Sequence, residues 1–340
     1  MSAPVPARDD GEAGDDRPTL ADLDAAAAIV HAAMPPTPQY RWPLLEARAG
    51  AEVWVKHENH TPVGAFKVRG GLVYFDALQR ADPRPMGVVT ATRGNHGQSV
   101  GLAARRHGFA TVIVVPHGNA AEKNAAMRAL GVELIEQGHD FQAAAEAADA
   151  IAAERGWHRI PSFHPLLVRG VGTYALELFR GAPALDAVYV PIGLGSGVCG
   201  VIAARDALGL RTAVIGVVSA GAPAVALSLE AGRVLSHEVT TRVADGMACR
   251  TPDASALAII ARGAERVVRV TDDEVEGAMR ALFADTHNVA EGGGAAALAA
   301  LLQERDAMRG RRVGVVLSGG NVDSAQFAGV LAGGQRAPTA

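Results

Sequence analysis

The 340-residue sequence predicts an α/β fold of two lobes, in which sheets of parallel strands are flanked by helices. Short apolar segments recur along the chain, each followed by a glycine-containing turn and an alanine-rich helical segment. Buried strands that alternate with helices are typical of right-handed βαβ units, and therefore of parallel sheets. At about 150 residues per domain, the length indicates two domains. The alternation breaks at residues 159–170, which we interpret as a crossing between them.

The elements are predicted in the following order. Residues 1–18 are acidic and rich in proline and glycine, which indicates a flexible tail. Residues 20–33 have the spacing of a short amphipathic helix, and the prolines from Pro35 onwards end it. The segment AEVWVKHEN predicts a strand, and the residues after Lys67 have helical spacing. Further strands are predicted in GVVTA, ATVIVVP, VELIEQ, AVYVPI, TAVIGVVSA and VGVVL.

Composition and charge exclude several classes of protein. Hydrophobic residues make up 49% of the chain and charged residues 20%, which excludes a disordered chain and a disulfide-stapled mini-protein. With a net charge of −4 the chain has no basic footprint, so no nucleic-acid partner is expected. No apolar run approaches the ~18 residues of a membrane span, and the N-terminus has no apolar core, so no membrane partner is expected. Cys199 and Cys249 lie far apart, which indicates a reducing compartment and a cytoplasmic protein.

Lysine is rare in this sequence. Only Lys56, Lys67 and Lys123 are found among 32 basic residues, and the others are arginines. A lysine amine can lose its proton and form an imine, whereas an arginine stays protonated. Biased codon usage would explain the rarity equally well, and on that interpretation all three lysines would lie at the surface.

Four glycine-rich turns follow or precede predicted elements, at the edge of a parallel sheet where ligands bind. The first, Gly64–Gly71, places Lys67 at the start of a helix, where partial burial would lower its pKa and make its amine a nucleophile or base. The second, Thr92–Gln98, brings backbone N–H groups, an amide and an imidazole to a helix start that suits an anion. The third, Gly193–Gly197, suits a phosphate. The fourth places Ser318 at a strand end beside two glycines, where a flat ligand can approach.

Other chemistries fit these turns poorly. A nicotinamide dinucleotide site needs glycine where Val198 stands, and the expected acidic residue after the next strand is missing. The sequence has no nucleophile elbow and no Walker lysine. His57 and His60 flank Glu58 without the HExxH spacing, so no metal site is predicted there.

Taken together and in order, the four turns resemble those of pyridoxal-phosphate enzymes of fold type II, the tryptophan-synthase-β fold. The likeness covers roughly residues 20–330 and is strongest to the branch of threonine/serine dehydratases and serine racemases. It rests on the segments KHENHTPVGAFKVRGG, TRGNHGQ, GLGSG and SGGN. The resemblance implies that the cofactor is pyridoxal 5′-phosphate and that it binds between the two lobes.

The resemblance also assigns the site residues. It makes Lys67 the catalytic lysine, which forms a Schiff base with the cofactor. It implies that Asn95 binds the ring hydroxyl, that Ser318 faces the pyridine nitrogen, and that a glycine-rich loop holds the phosphate. The loop residues are Gly193, Leu194, Gly195, Ser196 and Gly197. The implied substrate-binding residues are Thr92, Arg93, Gly94, Asn95 and His96.

The activity that the resemblance implies is β-elimination from a β-hydroxy amino acid, either threonine or serine or a bulkier analogue, which yields a 2-oxo acid and ammonia in amino-acid catabolism. Threonine, serine, phenylserine and 3-hydroxyaspartate are candidate substrates. Arg93 would suit an acidic substituent, whereas Tyr40, Trp42 and Phe66 would suit an aromatic one. The alternatives are racemisation or β-replacement on the same fold, and a non-catalytic relative that only binds the cofactor.

Departures from the family pattern narrow these expectations. Arg93 stands where the serine racemases have a serine, and an arginine is a poor acid or base, which argues against racemisation. After TAVIGVVSA the chain lacks the acid through which many relatives bind a divalent cation, so no metal is predicted. His164, Cys249 and Glu291 are left without a role.

The resemblance further predicts domain boundaries and assembly. Residues 19–80 with 165–340 would form a large cofactor-binding domain, and residues 81–164 a small mobile domain. The chain ends too soon after Ser318 for a C-terminal regulatory domain, so no feedback control by isoleucine is expected. By analogy with the family the protein would be a homodimer.

Overall fold

The structure, a computed structural model, describes residues 18–333, so the predicted tail lies almost entirely outside the described residues. The described chain divides into two compact units. Unit 1 comprises residues 18–35 with Lys67–Thr173, and unit 2 comprises Pro36–Phe66 with residues 174–333. The predicted domains have other boundaries, because residues 19–35, 67–80 and 165–173 belong to unit 1 by their contacts.

Unit 1 contains a four-stranded sheet whose strands are all parallel. Its strands are β3 (Gly87–Ala91), β4 (Ala110–Val115), β5 (Glu133–Glu136) and β6 (His158–Arg159), in the spatial order β5-β4-β3-β6; strands β1 and β2 lie in unit 2. Its helices are α1 (Leu20–His31), α3 (Lys67–Leu78), α4 (Asn95–His107), α5 (Ala121–Ala129) and α6 (Phe141–Arg155). Helix α7 (Pro165–Gly181) begins in unit 1 and ends in unit 2.

Helix α1 begins at Leu20 as the sequence predicts and ends at His31, two residues before the predicted end. Thr19 and Asp22 form a capping box at the start of α1, and the buried face of that helix carries leucine, alanine and valine. Alanines form the buried face of α6, which packs on β3 and β4. Because alanine side chains are short, the helix lies close to the sheet. Every residue of β3 is buried, which explains its uninterrupted apolar sequence.

Unit 2 contains a six-stranded sheet in the order β1-β2-β10-β7-β8-β9. Its strands are β1 (Gln39–Arg41), β2 (Glu52–His57), β7 (Ala187–Pro191), β8 (Ala213–Ser219), β9 (Arg266–Val270) and β10 (Arg312–Leu317). Only β1 is antiparallel to its neighbour, at the edge of the sheet. Its helices are α2 (Pro43–Ala49), α8 (Ser196–Ala207), α9 (Ala224–Ala231), α10 (Ala254–Gly263), α11 (Asp272–Thr286), α12 (Gly292–Gln303) and α13 (Ser324–Gly333).

The core of unit 2 forms around α12, whose residues from Gly292 to Leu301 are all buried. Short 3₁₀ turns lie at Glu58–His60 and Asp245–Met247. The prediction of parallel sheets flanked by helices is therefore confirmed in both units. Among residues 18–333, no helix combines the length and the apolar character that crossing a membrane requires.

Candidate functional site

Lys67 is the first residue of α3 and is half-buried. The hydroxyl of Ser99, in the second turn of α4, donates a hydrogen bond of 2.7 Å to the backbone carbonyl of Lys67. Gly71 lies so close to Ser99 that it has no room for a side chain. The two helices therefore touch at the residue that carries the amine, which fixes the backbone of Lys67 within unit 1.

The loop after β3 prepares the start of α4 for a ligand. The Thr92 hydroxyl oxygen accepts hydrogen bonds from the backbone N–H groups of Gly94, at 3.0 Å, and Gly97, at 3.3 Å. Asn95 and His96 follow in the first helical turn, where backbone N–H groups have no acceptor within the helix. Thr92 thus shapes the loop, and the first turn of α4, at Asn95 and His96, presents the positive end of the helix dipole, which favours an anion.

Two buried side-chain atoms of this loop have no hydrogen-bond partner. They are His96 Nε2 and Gln98 Nε2. Buried polar atoms are nearly always paired in folded proteins, so two orphans in one helical turn indicate that a ligand completes the site. Sequence reasoning did not single out Gln98, although it lies within the glycine-rich turn.

Positive charge surrounds this loop. Burial, followed by the charges of Lys67 and Arg159, lowers the pKa of His96 to about 3. His96 is therefore neutral at physiological pH and acts there as a neutral hydrogen-bonding group. Arg93 is exposed on the loop itself. The structure thus brings Lys67 together with the second glycine-rich turn, on an electropositive side of unit 1.

In unit 2 the third glycine-rich turn links β7 to α8. Gly195 precedes α8 with φ of 106°, a left-handed conformation that favours glycine. A side chain at Gly193 would meet the carbonyl oxygen of Gly246 at 2.5 Å, and one at Gly197 would meet the ring of Phe66 at 3.6 Å. The glycines therefore let backbone and aromatic groups approach closely at the N-terminus of α8, a helix start of the kind that receives a phosphate.

Phe66, directly before Lys67 in the chain, faces this loop. Its ring packs edge-on against Tyr174, whose hydroxyl donates to the carbonyl of Gly197 at 3.2 Å. The aromatic pair therefore packs against one side of the third glycine-rich turn, Gly193–Gly197, called the phosphate-type loop below. By contrast, Tyr40 and Trp42 pack with His57 at the β1 edge of the sheet.

Ser318 lies at the end of β10 and is buried, with its hydroxyl donating to Gly293 at 3.3 Å. Its carbonyl accepts from the backbone N–H of Phe66 at 3.0 Å. Two residues on, the Gly320 N–H donates to Gly64 at 2.9 Å. The fourth turn is therefore hydrogen-bonded along the first, over the residues that lead directly to Lys67.

Sequence reasoning missed the segment 243–247, which no pattern marks. It packs against Gly193 of the phosphate-type loop, and it leaves no room for a side chain at Gly292 of α12. A side chain at Gly246 would itself project into open space. This segment is a wall of the site in unit 2, and only the glycines that it contacts could have hinted at it.

The residues left without a role have these positions. Glu291 is buried directly before α12 but makes no capping bond; its carboxylate lies against Gly319. His164 is half-buried against Tyr74 and accepts from the Leu166 N–H at 3.1 Å. Burial raises the pKa of the Cys249 thiol to about 11, so it is not a thiolate.

None of the three lysines is exposed. The alternative interpretation, in which biased codon usage makes lysine rare and all three lie at the surface, is therefore wrong about their placement. Lys56 and Lys123 are buried and Lys67 is half-buried. In residues 18–333 no group of three or more histidine, cysteine, aspartate or glutamate side chains could hold a metal ion.

Comparison with known proteins agrees with this geometry. Residues 30–319 match the family model described as pyridoxal-phosphate-dependent enzyme. The chain is 34% identical to an L-threonine ammonia-lyase of Thermotoga maritima over 82% of this chain and 70% of that protein. It is 30% identical to an L-threo-3-hydroxyaspartate ammonia-lyase of Saccharomyces cerevisiae over 95% of this chain and 99% of that protein. The structure of maize serine racemase superposes with a TM-score of 0.86 at 26% identity, and the match covers 93% of this chain and 97% of the racemase chain.

The residues present fit pyridoxal phosphate. Unit 1 offers a half-buried lysine and the orphaned His96 and Gln98 nitrogens. Unit 2 offers a glycine-rich loop at the N-terminus of α8 and a buried hydroxyl at Ser318. An amine, an anion-binding helix start and a hydroxyl for the ring nitrogen are the donor set that this cofactor requires.

Proposed function

This chain belongs to the family of pyridoxal-phosphate-dependent enzymes, and we propose that it releases ammonia from a β-hydroxy amino acid by β-elimination. One observation carries the proposal. In unit 1, the half-buried Lys67 lies beside a helix start whose amides and orphaned nitrogens are ready for an anionic ligand. The relatives that support the reaction class are named ammonia-lyases and span nearly the whole chain.

Bound pyridoxal phosphate would supply the electron sink that lets a proton leave the α-carbon. Lys67 Nζ would hold the cofactor and then accept that proton as general base. Lys67 and Arg159 both lie close enough to His96 for their charges to lower its pKa, so the amine of Lys67 belongs to an electropositive region of unit 1. With a pKa of about 3, the His96 imidazole is too weak a base to compete with Lys67 for the proton.

The loop from Thr92 to His96 would bind the substrate carboxylate. The N–H groups of Asn95 and His96 point from a helix start, where the helix dipole favours negative charge. The side chain of Asn95 would bind the ring hydroxyl of the cofactor. Carboxylate binding at two backbone amides orients the α-carbon relative to Lys67, which matters because proton transfer needs a fixed geometry.

In unit 2, the loop Gly193–Gly197 would hold the cofactor phosphate and Ser318 would face the pyridine nitrogen. The hydrogen bonds from Phe66 to Ser318 and from Gly320 to Gly64 support this assignment, because they join the ring-nitrogen residue to the segment that carries Lys67. Phe66 would pack against the cofactor on the side of the phosphate loop.

The β-substituent of the substrate is the open part of the proposal. The relatives named above act on threonine and on 3-hydroxyaspartate. Arg93 is exposed on the carboxylate loop and favours an acidic substituent. The aromatic alternative has less support, because Tyr40 and Trp42 are engaged with each other and with His57 at the β1 edge of the sheet.

The proposal also includes a homodimer, a cytoplasmic location and a role in amino-acid catabolism. Family analogy supports all three, and light scattering of the purified protein tests the assembly. No metal is proposed at the end of β8, where the Ser219 hydroxyl accepts from the N–H of Gly221 at 3.1 Å.

A spectrum of the purified protein and of Lys67→Ala tests the proposal first. We expect a visible absorption band of the bound cofactor that is lost in Lys67→Ala. A panel of threonine, serine, threo-3-hydroxyaspartate and phenylserine is then scored for ammonia and for the optical purity of recovered substrate. A band without ammonia, but with loss of optical purity, would replace elimination by racemisation. Absence of any band after cofactor addition would leave a non-catalytic relative.

A further inference from the structure

Lys123 is the third of only three lysines, and nothing so far gives it a role. It lies in the first turn of α5 and is 6% exposed. A lysine is almost never this buried unless its charge is paired, so the position of Lys123 is set by its surroundings and not by exposure to water. Its environment is therefore informative.

The aliphatic stem of Lys123 runs along Gly94, at the entrance to α4. A Cβ at Gly94 would lie 2.6 Å from Cδ of Lys123, 3.4 Å from Cε and 3.5 Å from Cγ. Three consecutive methylene groups therefore fill the space that a side chain at Gly94 would need. Gly94 directly precedes the two amides that would bind the substrate carboxylate.

The next turn of α5 makes a matching contact. Met127 Sδ fills the space beside Gly97, which the methyl group of Thr92 closes from its own side. Residues 123 and 127 are four apart, so their side chains lie on one face of the helix. That face supports the loop at both glycines, and the carboxylate amides lie between the two supported points.

The choice of lysine follows from its shape. In a chain that uses arginine for nearly every positive charge, this position keeps an unbranched stem. Arginine has a planar guanidinium that begins where lysine still has a methylene group. At a site this buried, the planar guanidinium of an arginine at position 123 would be crowded against Gly94.

We propose that Lys123 is a positioning residue for the carboxylate-binding loop, and that its stem, rather than its charge, performs this role. The inference rests on the proposed function, since it assumes that the amides of Asn95 and His96 bind the substrate carboxylate. The stem holds Gly94 in place, and Gly94 holds the first turn of α4.

The experiment compares Lys123→Met, Lys123→Arg and Lys123→Ala in the cofactor-loaded protein. Glycine and glycinamide are titrated, and binding is followed by the absorption change of the bound cofactor, which requires no turnover. We expect Lys123→Ala to weaken glycine binding roughly tenfold and glycinamide binding much less, because only glycine uses the carboxylate amides. Lys123→Met should keep the glycine affinity within about threefold, whereas Lys123→Arg should resemble alanine.

Arg128→Met, on the exposed face of the same helix, is the control and should leave both affinities unchanged. An unchanged glycine affinity in Lys123→Ala would overturn the proposal. So would rescue by arginine with failure of methionine, since that order assigns the role to the charge. If Lys123→Ala does not fold, the comparison of the glycine affinities of Lys123→Met and Lys123→Arg decides the question alone.

Failure of the proposed function is a separate outcome. It would appear as a wild-type protein that releases no ammonia from any member of the panel. Glycine binding is measured without elimination, so the two results are independent. A wild-type protein that loads cofactor but does not prefer glycine over glycinamide would overturn the role of Lys123.

Discussion

The hydroxyl of Ser99 donates a 2.7 Å hydrogen bond to the backbone carbonyl of Lys67, which joins α4 to the first residue of α3. The contact lies within unit 1 and links the carboxylate loop, through its own helix, to the residue that bears the proposed catalytic amine. A change in the position of α4 would therefore move Lys67 as well. The Ser99 side chain therefore couples the position of the loop to the position of Lys67.

We expect Ser99→Ala to lower kcat by roughly tenfold or more, because a proton-transfer base must be held to a fraction of an ångström. Loss of one buried hydrogen bond should lower the free energy of unfolding by about 1 kcal/mol. Steady-state ammonia release and urea denaturation measure the two effects. Ser228→Ala is the control, since Ser228 is equally buried and donates to Ala224 in unit 2. Equal kcat losses in the two variants would contradict the coupling.

The close contact between Gly193 and Gly246 leads to a second prediction, which concerns cofactor affinity. In Gly193→Ala the new Cβ would meet the Gly246 carbonyl oxygen at 2.5 Å, and one of the two backbone segments must shift. We expect cofactor affinity to fall by roughly tenfold, since a phosphate at a helix start depends on the placement of backbone N–H groups. Equilibrium titration of cofactor-free protein measures it.

Gly277→Ala in α11 serves as the control for that variant. Its Cβ would find its nearest neighbour, Arg280, only at 4.0 Å. Replacement of glycine by alanine inside a helix should stabilise the fold by about 0.5–1 kcal/mol and leave cofactor affinity unchanged. A Gly193→Ala variant with wild-type affinity would remove residues 243–247 from the site.

Two buried histidines give the fold a defined pH dependence. Burial lowers the pKa of His57 to about 4, with smaller contributions from His60 and Lys56, and that of His96 to about 3. Both pKa values lie below those of the unfolded chain, so the unfolded state binds more protons between about pH 6.5 and pH 4. Stability is therefore complete above about pH 6.5 and falls as the pH decreases towards 4.

Urea denaturation at a series of pH values measures this slope. We expect His57→Gln to reduce it, since the variant cannot take up the proton on unfolding. Its side-chain oxygen can still accept from Trp42 Nε1, which donates to His57 Nε2 at 3.0 Å. His139→Gln, at a side chain that is 88% exposed, should leave the slope unchanged. A wild-type stability that is flat from pH 7 to 4 would disagree with both histidine assignments.

The parts that sequence could predict are those with a local pattern. GVVTA predicts a buried strand because it is a short, mostly apolar run before a turn, and all five of its residues are buried in the structure. TRGNHGQ predicts a ligand-binding turn because its glycines and polar groups are adjacent in the chain. Lys67 is identifiable for a related reason, since it is one of only three lysines and lies within a glycine-rich turn of the sequence. Local pattern therefore gives the parallel sheets and the first members of the site.

What sequence could not predict depends on contacts between distant segments. The segment 243–247 has no strand or helix pattern, and it belongs to the site only because Gly193 and Gly292 pack against it. The three-residue strand β1 is too short and too exposed for a period to show. The burial of Lys123 follows from its packing on Gly94, 29 positions earlier in the chain, which no local window contains.

The buried ion pair between Lys56 and Glu177 gives the last expectation. Their side chains meet at 2.6 Å, and Lys56 also donates to the carbonyl of Thr37 at 2.8 Å. Removing one partner of a buried pair strands the other charge, and this typically costs about 3–5 kcal/mol. We expect Lys56→Met to destabilise the protein by that amount in urea denaturation. Lys56→Met combined with Glu177→Met should be substantially more stable than Lys56→Met alone, because no charge is then left unpaired.

A surface pair provides the comparison. Arg128 and Glu136 meet at 2.9 Å with both side chains well exposed, so Arg128→Met should cost less than about 1 kcal/mol. The double variant at 56 and 177 is the decisive measurement. If it is no more stable than Lys56→Met, the loss comes from the missing hydrogen bond between Lys56 and Thr37, and an unpaired charge is not its cause. Recovery of most of the stability would show that Lys56 is retained to neutralise Glu177, a role separate from that of Lys67.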